Sequence, residues 1–411
     1  MSMTRPPEAV TVPLRPPVAA QPPTATRSLV EEFAEGLDAP ICLTWELTYA
    51  CNLSCVHCLS SSGRRDPREL STEECFAVID ELERLQVFYV NIGGGEPMLR
   101  PDFFQILEYA AAHHVGVKFS TNGTFIDAAA ARRLAAMDYL DIQISIDGAD
   151  PDVNDAVRGE GSFAAARAAM DHLRDAGFGP FKISLVVTRH NVGQLDGFKA
   201  IADEYGAQLR VTRLRPSGRG ADTWHELHPT QAQQRELYHW LMGRPDVLTG
   251  DSFFHLSALG DPLPGLNLCG AGRVVCLIDP VGDVYACPFV IHDEFLAGNI
   301  RDTGGFTRVW RESELFASLR EPDSEGACVS CGSYDACQGG CMASKFFVGL
   351  ELTDPDPECV LGHAEPLLAA IAADTAAGRR ADLPRPGADH SRPGVPVPSP
   401  VTLRPTRRSR G

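Results

Sequence analysis

The sequence predicts an α/β fold built on a parallel sheet and followed by a second, cysteine-dense domain. Two observations carry this. Short apolar or alternating runs recur at Ile41–Leu47, Val87–Ile92, Val115–Phe119, Leu140–Ile146, Phe181–Val187 and Gln208–Leu214, with helical patterns between most of them. Parallel strands need such helical crossovers. From about Thr249 the alternation breaks into short pieces, and eight of the 13 cysteines fall between Cys269 and Cys359. A chain of 411 residues, 44% hydrophobic, has the length of two to three domains and the means to bury a sizeable core.

Residues 1–26 hold seven prolines and little apolar pattern. Residues 1–27 are therefore expected to be a disordered extension, because such a segment cannot offset its ordering entropy. Ile41–Leu47 is the first strand. Ser71-Thr72-Glu73-Glu74 has the form of a capping box and opens a helix that continues through Phe76, Ile79, Leu82 and Leu85. Further helices are expected over Pro101–His113, Ala128–Ala136, Ser162–Ala176 and Val192–Tyr205. An open doubly wound sheet and a partial barrel both satisfy this order, and in both the active groups sit at the C-terminal ends of the strands. The barrel-like part is expected over 28–216, a bridging region over 217–265 and the cysteine-dense domain over 266–365. Residues 366–411 are read as a helix remnant and a disordered, proline-rich tail; from Arg379 onward the local charge is +6.

The net charge is −17, which leaves −23 on the rest of the chain. That argues against a nucleic-acid partner, since phosphate contacts need a basic surface. No apolar run approaches the length of a membrane span, and prolines with Arg5 and Arg15 interrupt any signal-peptide pattern. A cytoplasmic location and no membrane partner are expected. In a reducing compartment the cysteines are metal ligands more often than disulfides.

The main chemical signal follows the first strand. Cys51, Cys55 and Cys58 form a CxxxCxxC loop. Three thiolates in one loop can hold three irons of a cubane and leave the fourth open to an exchangeable ligand. A zinc site would want a fourth donor, and His57 lies inside the loop. After the second strand comes Gly93-Gly94-Gly95-Glu96-Pro97, where glycines let a ligand approach the backbone. The third strand ends in Ser120-Thr121-Asn122-Gly123. The fourth ends in Ser145-Ile146-Asp147-Gly148, with Ser145 and Asp147 on one face at period two. Helix capping is the other common use of such residues. Four polar strand ends thus converge on one rim. The late cysteines read Cys269-x6-Cys276-x10-Cys287, Cys328-x2-Cys331-x5-Cys337-x3-Cys341 and Cys359, enough for two four-cysteine clusters or, in part, a zinc ribbon. Cys42 and Cys75 read as core residues.

CxxxCxxC followed by GGEP resembles the radical SAM superfamily, over residues of roughly 40–216. The resemblance implies a partial (β/α)6 TIM-type barrel with a 4Fe–4S cluster on Cys51, Cys55 and Cys58, and S-adenosylmethionine (SAM) on the open iron. It also implies that Gly94, Gly95, Glu96 and Pro97 hold the methionine amino group, and that Ser145 and Asp147 reach ribose or carboxylate. His57 takes the aromatic position near adenine, Leu214 is a weaker adenine candidate, and Arg158 can pair with the methionine carboxylate. The late cysteines resemble the SPASM extension, a small α+β domain with two auxiliary 4Fe–4S clusters. That places one cluster on Cys269, Cys276, Cys287 and Cys341, with Cys276 the least secure ligand, and the other on Cys328, Cys331, Cys337 and Cys359.

The stretches 36–47, 213–220, 248–255 and 270–280 resemble the mycofactocin maturase family of actinobacteria. The resemblance implies a short precursor peptide ending in Val-Tyr, a small carrier protein for its leader and an external electron donor. The implied reaction is oxidative decarboxylation of the terminal Tyr followed by a Val–Tyr C–C bond. Arg213, Arg215, Lys118 and His190 lie near strand ends where a peptide carboxylate could be met. A sulfatase maturase or a peptide crosslinking enzyme would show nearly the same cysteine pattern, and a non-enzymatic scaffold would have no need of the glycine-rich rim.

Overall fold

Alternation along the first strand sets the two faces of the sheet. In β1 (Cys42–Thr48), Leu43, Trp45 and Leu47 are buried in the core, while Cys42, Thr44 and Glu46 line an interior cavity. The structure is a computed structural model. It describes residues 36–377, except 88, 250–252, 266 and 322–325, together with 383 and 384. Both proline-rich ends for which disorder is expected lie outside the described residues, apart from 383 and 384.

Helix α1 (Thr72–Arg84) starts at the expected capping box: the Ser71 hydroxyl accepts from Glu74 N, and the Glu74 carboxylate accepts from Ser71 N. It buries Cys75, Val78, Ile79 and Leu82 against the sheet. The chain continues as β2 (Tyr89–Gly94), α2 (Phe103–Ala112), β3 (Gly116–Thr121), α3 (Ala128–Ala135) and β4 (Leu140–Ser145). Then come α4 (Pro151–Arg158), α5 (Ser162–Asp175), β5 (Lys182–Val187), α6 (Leu195–Glu204) and β6 (Gln208–Arg213). Consecutive strands from β1 to β6 pair in parallel. Strand ends differ from the sequence reading by up to two residues. Helix α4 was not expected, although Asp150 caps it and Pro151 begins it.

The bridging region is largely helical, with α7 (Gly220–Leu227) and α8 (Gln231–Met242). The cysteine-dense domain then joins the first sheet. Strand β7 (Val275–Ile278) pairs in parallel with β1, Cys42 opposite Val275. Strands β8 (Asp283–Tyr285) and β9 (Leu296–Asn299) continue antiparallel, giving the order β6-β5-β4-β3-β2-β1-β7-β8-β9. A six-stranded half-barrel leaves one edge of β1 bare, and an unpaired edge is a liability that a neighbouring strand removes. The last described helix, Glu365–Ala376, falls where a helix remnant is expected. No helix among the described residues is long and apolar enough to cross a membrane.

Candidate active site

The C-terminal ends of β1–β6 open on a cavity of about 810 Å3. Cys51, Cys55 and Cys58 line it on one side, and Cys269, Cys287 and Cys341 on another. The pairing of β1 with β2 shifts register between Glu46 and Thr48, immediately before the cysteine loop; such irregularities re-aim a strand end. The backbone then docks on the glycine turn, where Gly95 N donates to Thr48 O and Glu96 N to Ala50 O, both at 2.8 Å. A side chain at Gly95 would put its Cβ 2.0 Å from Ala50 O, and Gly94 has φ +104° with Thr48 O 2.6 Å from where its Cβ would be. Both positions need glycine, one for close approach and one for conformation. From the far side Arg219 pins the loop: Nε donates to Cys55 O, Nη1 to Ser62 O and the backbone N to Cys58 O, each at 2.9 Å. Arg219 escaped the sequence reading because its partners are carbonyls that no motif marks.

Gly94, Gly95 and Glu96 line the cavity. Pro97 does not: it is buried and opens a single 3-10 turn, so its part is to fix the chain after Glu96. The Glu96 carboxylate accepts from Thr121 Oγ1, Asn122 N and Met98 N. Burial still pushes its carboxyl up to about 7, against those bonds.

Asp147 corrects the expectation most clearly. It is fully buried and absent from the cavity wall. Its Oδ2 lies 2.6 Å from His57 Nε2 and 2.7 Å from Arg158 Nε, while Oδ1 accepts from Val186 N at 2.7 Å. Asn154 and Asn191 hold its backbone. Burial works against ionisation, yet Arg158 and His57 keep the carboxyl well below the usual range. Buried behind the wall, it does not meet a ribose lying in the cavity. It positions His57 and Arg158, which do line the cavity with Ser145. Leu214 packs instead in a small cluster with Trp224 and Leu227, away from the cavity.

The late cysteines fall into two groups. Cys328, Cys331, Cys337 and Cys359, the four expected to share one cluster, line a small pocket with His255 and His363. Cys269, Cys287 and Cys341 face the main cavity, and each thiol of this trio feels another. Cys276, expected as their fourth member, stands apart. It is a β7 core residue whose thiol feels Cys42 and Arg320 rather than the trio. Strand alternation explains this, since its neighbour Val275 lines the cavity and a strand turns successive side chains to opposite faces. Cys75 lies in the core as expected, whereas Cys42 lines the cavity.

Donor chemistry fits clusters bound at these sites. Burial pushes the Cys51 thiol up to about 12 and Cys55 to about 11, and neighbouring thiols add to the rise. Burial likewise raises Cys337 to about 11. Crowded, desolvated thiols ionise together when a cation sits among them, because the metal reverses the local charge balance. No group of three or more His, Cys, Asp or Glu among the described residues closes tightly around a single ion. The thiols border spaces instead.

Of the four polar residues near strand ends, Arg213 is taken by Asp356 and Glu358, and His190 lies off the cavity wall. Lys118 and Arg215 line the cavity, and burial brings the Lys118 ammonium down to about 8. Glu46, which sequence reasoning missed, also lines it; burial and the Asp279 charge push its carboxyl up to about 8. A glutamate inside an apolar strand was the signal available.

Two family models match the chain: one for the radical SAM superfamily over residues 45–196, and one described as an iron–sulfur cluster-binding domain over residues 269–332. A mycofactocin maturase of Mycobacterium ulcerans is 67% identical over 90% of this chain and 98% of its own length. One from Mycobacterium tuberculosis is 64% identical over 92% of this chain and 96% of its own. In fold, SuiB of Streptococcus suis bound to S-adenosylmethionine matches with a TM-score of 0.64 at 17% identity, over 79% of this chain and 78% of that one. The chain belongs to the mycofactocin maturase family of SAM-dependent radical SAM enzymes.

Proposed function

We propose that this enzyme matures a ribosomally made precursor peptide ending in Val-Tyr, within mycofactocin biosynthesis. It removes carbon dioxide and two hydrogens from the terminal Tyr, then joins that residue to the Val side chain by a C–C bond. A small carrier protein presents the leader, and an external donor supplies electrons. The observation that carries the reading is the single cavity bordered by both Cys51, Cys55 and Cys58 and the Cys269, Cys287 and Cys341 trio. It supports a substrate held between two redox centres. Cys328, Cys331, Cys337 and Cys359 are suited to a third 4Fe–4S site.

Bound SAM and a reduced cluster supply hydrogen-atom abstraction from unactivated carbon. The protein's own part is orientation and exclusion of water. The Glu96 carboxylate and the Gly94–Gly95 backbone, which line the cavity, would receive the amino group. Asp147 fixes His57 and Arg158 on the cavity wall, and Arg158 would offer its guanidinium to a carboxylate.

The test is anaerobic. Reconstituted enzyme receives SAM, a strong reductant, carrier protein and peptide, and peptide mass and 5′-deoxyadenosine are read in one sample. Loss of carbon dioxide plus two hydrogens is expected. Deoxyadenosine with an unchanged peptide would sink the substrate assignment and move the enzyme to another SPASM reaction.

A pH dependence follows from Glu96. An ammonium binds the ionised carboxylate and not the acid, so SAM affinity should fall as pH drops below the folded value of about 7. Well below that value the loss is about tenfold per pH unit for one proton. Equilibrium binding between pH 6 and 8 reads it; a flat profile in the wild type would remove Glu96 from the amino-group site.

A further inference from the structure

A protein of net charge −17 encloses a cavity whose wall is rich in cations. Most of these are already answered. Arg158 faces Asp147, Lys182 faces Asp141, Arg213 lies between Asp356 and Glu358, and Arg219 gives its N–H groups to carbonyls. Arg215 differs. It is 6% exposed, and its Nη1 has no hydrogen-bond partner. Its Nε points at Cys341 Sγ at 3.4 Å, and its guanidinium carbon stands 3.8 Å over the Phe289 ring. No carboxylate among the described residues lies within ion-pair distance of it, whereas the other two arginines buried to this degree, Arg100 and Arg213, each have one.

The Cys341 sulfur accepts from Nε, and a buried guanidinium N–H left without an acceptor is costly unless a further anion completes it. Position narrows what that anion is. The chain just beyond Arg215 packs on the cysteine loop: Gly218 and Gly220 approach the carbonyls of Cys58 and His57. The guanidinium meanwhile touches the Cys341 side of the cavity. Arg215 therefore stands between the two groups of cysteines, stacked on Phe289, with Nη1 left without an acceptor. A carboxylate is the anion that an arginine binds through two parallel N–H bonds.

The geometry points to Arg215 as the residue that holds the C-terminal carboxylate of the substrate peptide, between the Cys51–Cys58 loop and the Cys341 trio. The assignment rests on the peptide reading above and deepens it. Arg215 is a positioning residue for the group that is to be lost. A carboxylate can reach this cavity on the peptide terminus or on the methionine part of SAM, and the experiment separates the two.

The measurement is anaerobic equilibrium binding to the cluster-loaded enzyme with saturating carrier protein. Precursor peptide with a free terminal carboxylate is compared with the same peptide ending in a carboxamide. Wild type should bind the free acid about tenfold or more tightly, as befits a charge-assisted pair. Arg215→Gln should lose that preference while keeping its iron and its SAM affinity, and Arg215→Lys should keep part of it. Equal affinity of wild type for acid and amide overturns the proposal without recourse to any variant. So does a preference that survives in Arg215→Gln, or a loss confined to SAM binding. If the substitution shifts only the potential of a cluster, read by redox titration, Arg215 serves the Cys341 site and the assignment falls. Failure of both peptides to bind overturns the peptide reading along with it, whereas maturation without an acid preference overturns Arg215 alone.

Discussion

Replacing Arg213 with alanine is expected to destabilise the protein by about 3–5 kcal/mol, the usual effect of breaking a buried ion pair from one side. The guanidinium donates Nη1 and Nη2 to Asp356 at 2.9 and 2.5 Å and Nε to Glu358 at 2.5 Å, with all three side chains almost fully buried. Arginine and burial act oppositely on the two acids. The Asp356 carboxyl ends well below its usual range despite burial, whereas burial and the Asp356 charge outweigh Arg213 at Glu358 and raise it. Without the arginine two carboxylates would share a dry site. The damage should reach the metal sites, because Asp356 also accepts from Cys341 N at 2.8 Å and lies three residues before Cys359. Thermal unfolding and bound iron should both fall in Arg213→Ala, and Arg213→Lys should recover part of each. An unchanged melting temperature with a full iron complement would show that the triad does not fasten these loops.

The second large effect is expected at Asp147. Asp147→Ala should lower deoxyadenosine formation about ten- to a hundredfold, the scale on which loss of ligand-supporting partners acts. The substitution leaves Arg158 buried without its anion, frees His57 beside Cys58, and removes the acceptor of Val186 N. Asp147→Asn keeps the shape and the Val186 bond but not the charge, and should fall between. Because Asp147 does not face the cavity, the variant's cluster spectrum should change together with its SAM affinity. A variant with native cluster signals and normal SAM cleavage would contradict the positioning role.

Much of this architecture was legible in sequence. The six β/α units, the Ser71 capping box and the CxxxCxxC loop followed by GGGEP carry local signals: period, cap chemistry and spacing. Side-chain direction was harder to read. Ser145 and Asp147 share a period-two face, yet only Ser145 lines the cavity, because the strand ends at Ser145 and the turn carries Asp147 inward. Cys276 fits a cysteine pattern, and strand alternation takes it out of the trio. Arg219 and the Arg213 triad depend on partners more than a hundred residues distant, which no local pattern encodes.

The pairing of β1 with β7 has a consequence for how the chain is made. Strand β1 is central in the finished sheet, but its second neighbour emerges from the ribosome only after Val275 has been added. Until then a nascent half-barrel carries an open strand edge, the kind of template on which intermolecular association begins. The closing contact is also among the least local in the protein, and such contacts slow folding. Synthesis halted between β6 and β7 should therefore release an aggregation-prone chain, and the barrel and the cysteine-rich region should unfold together as one cooperative body.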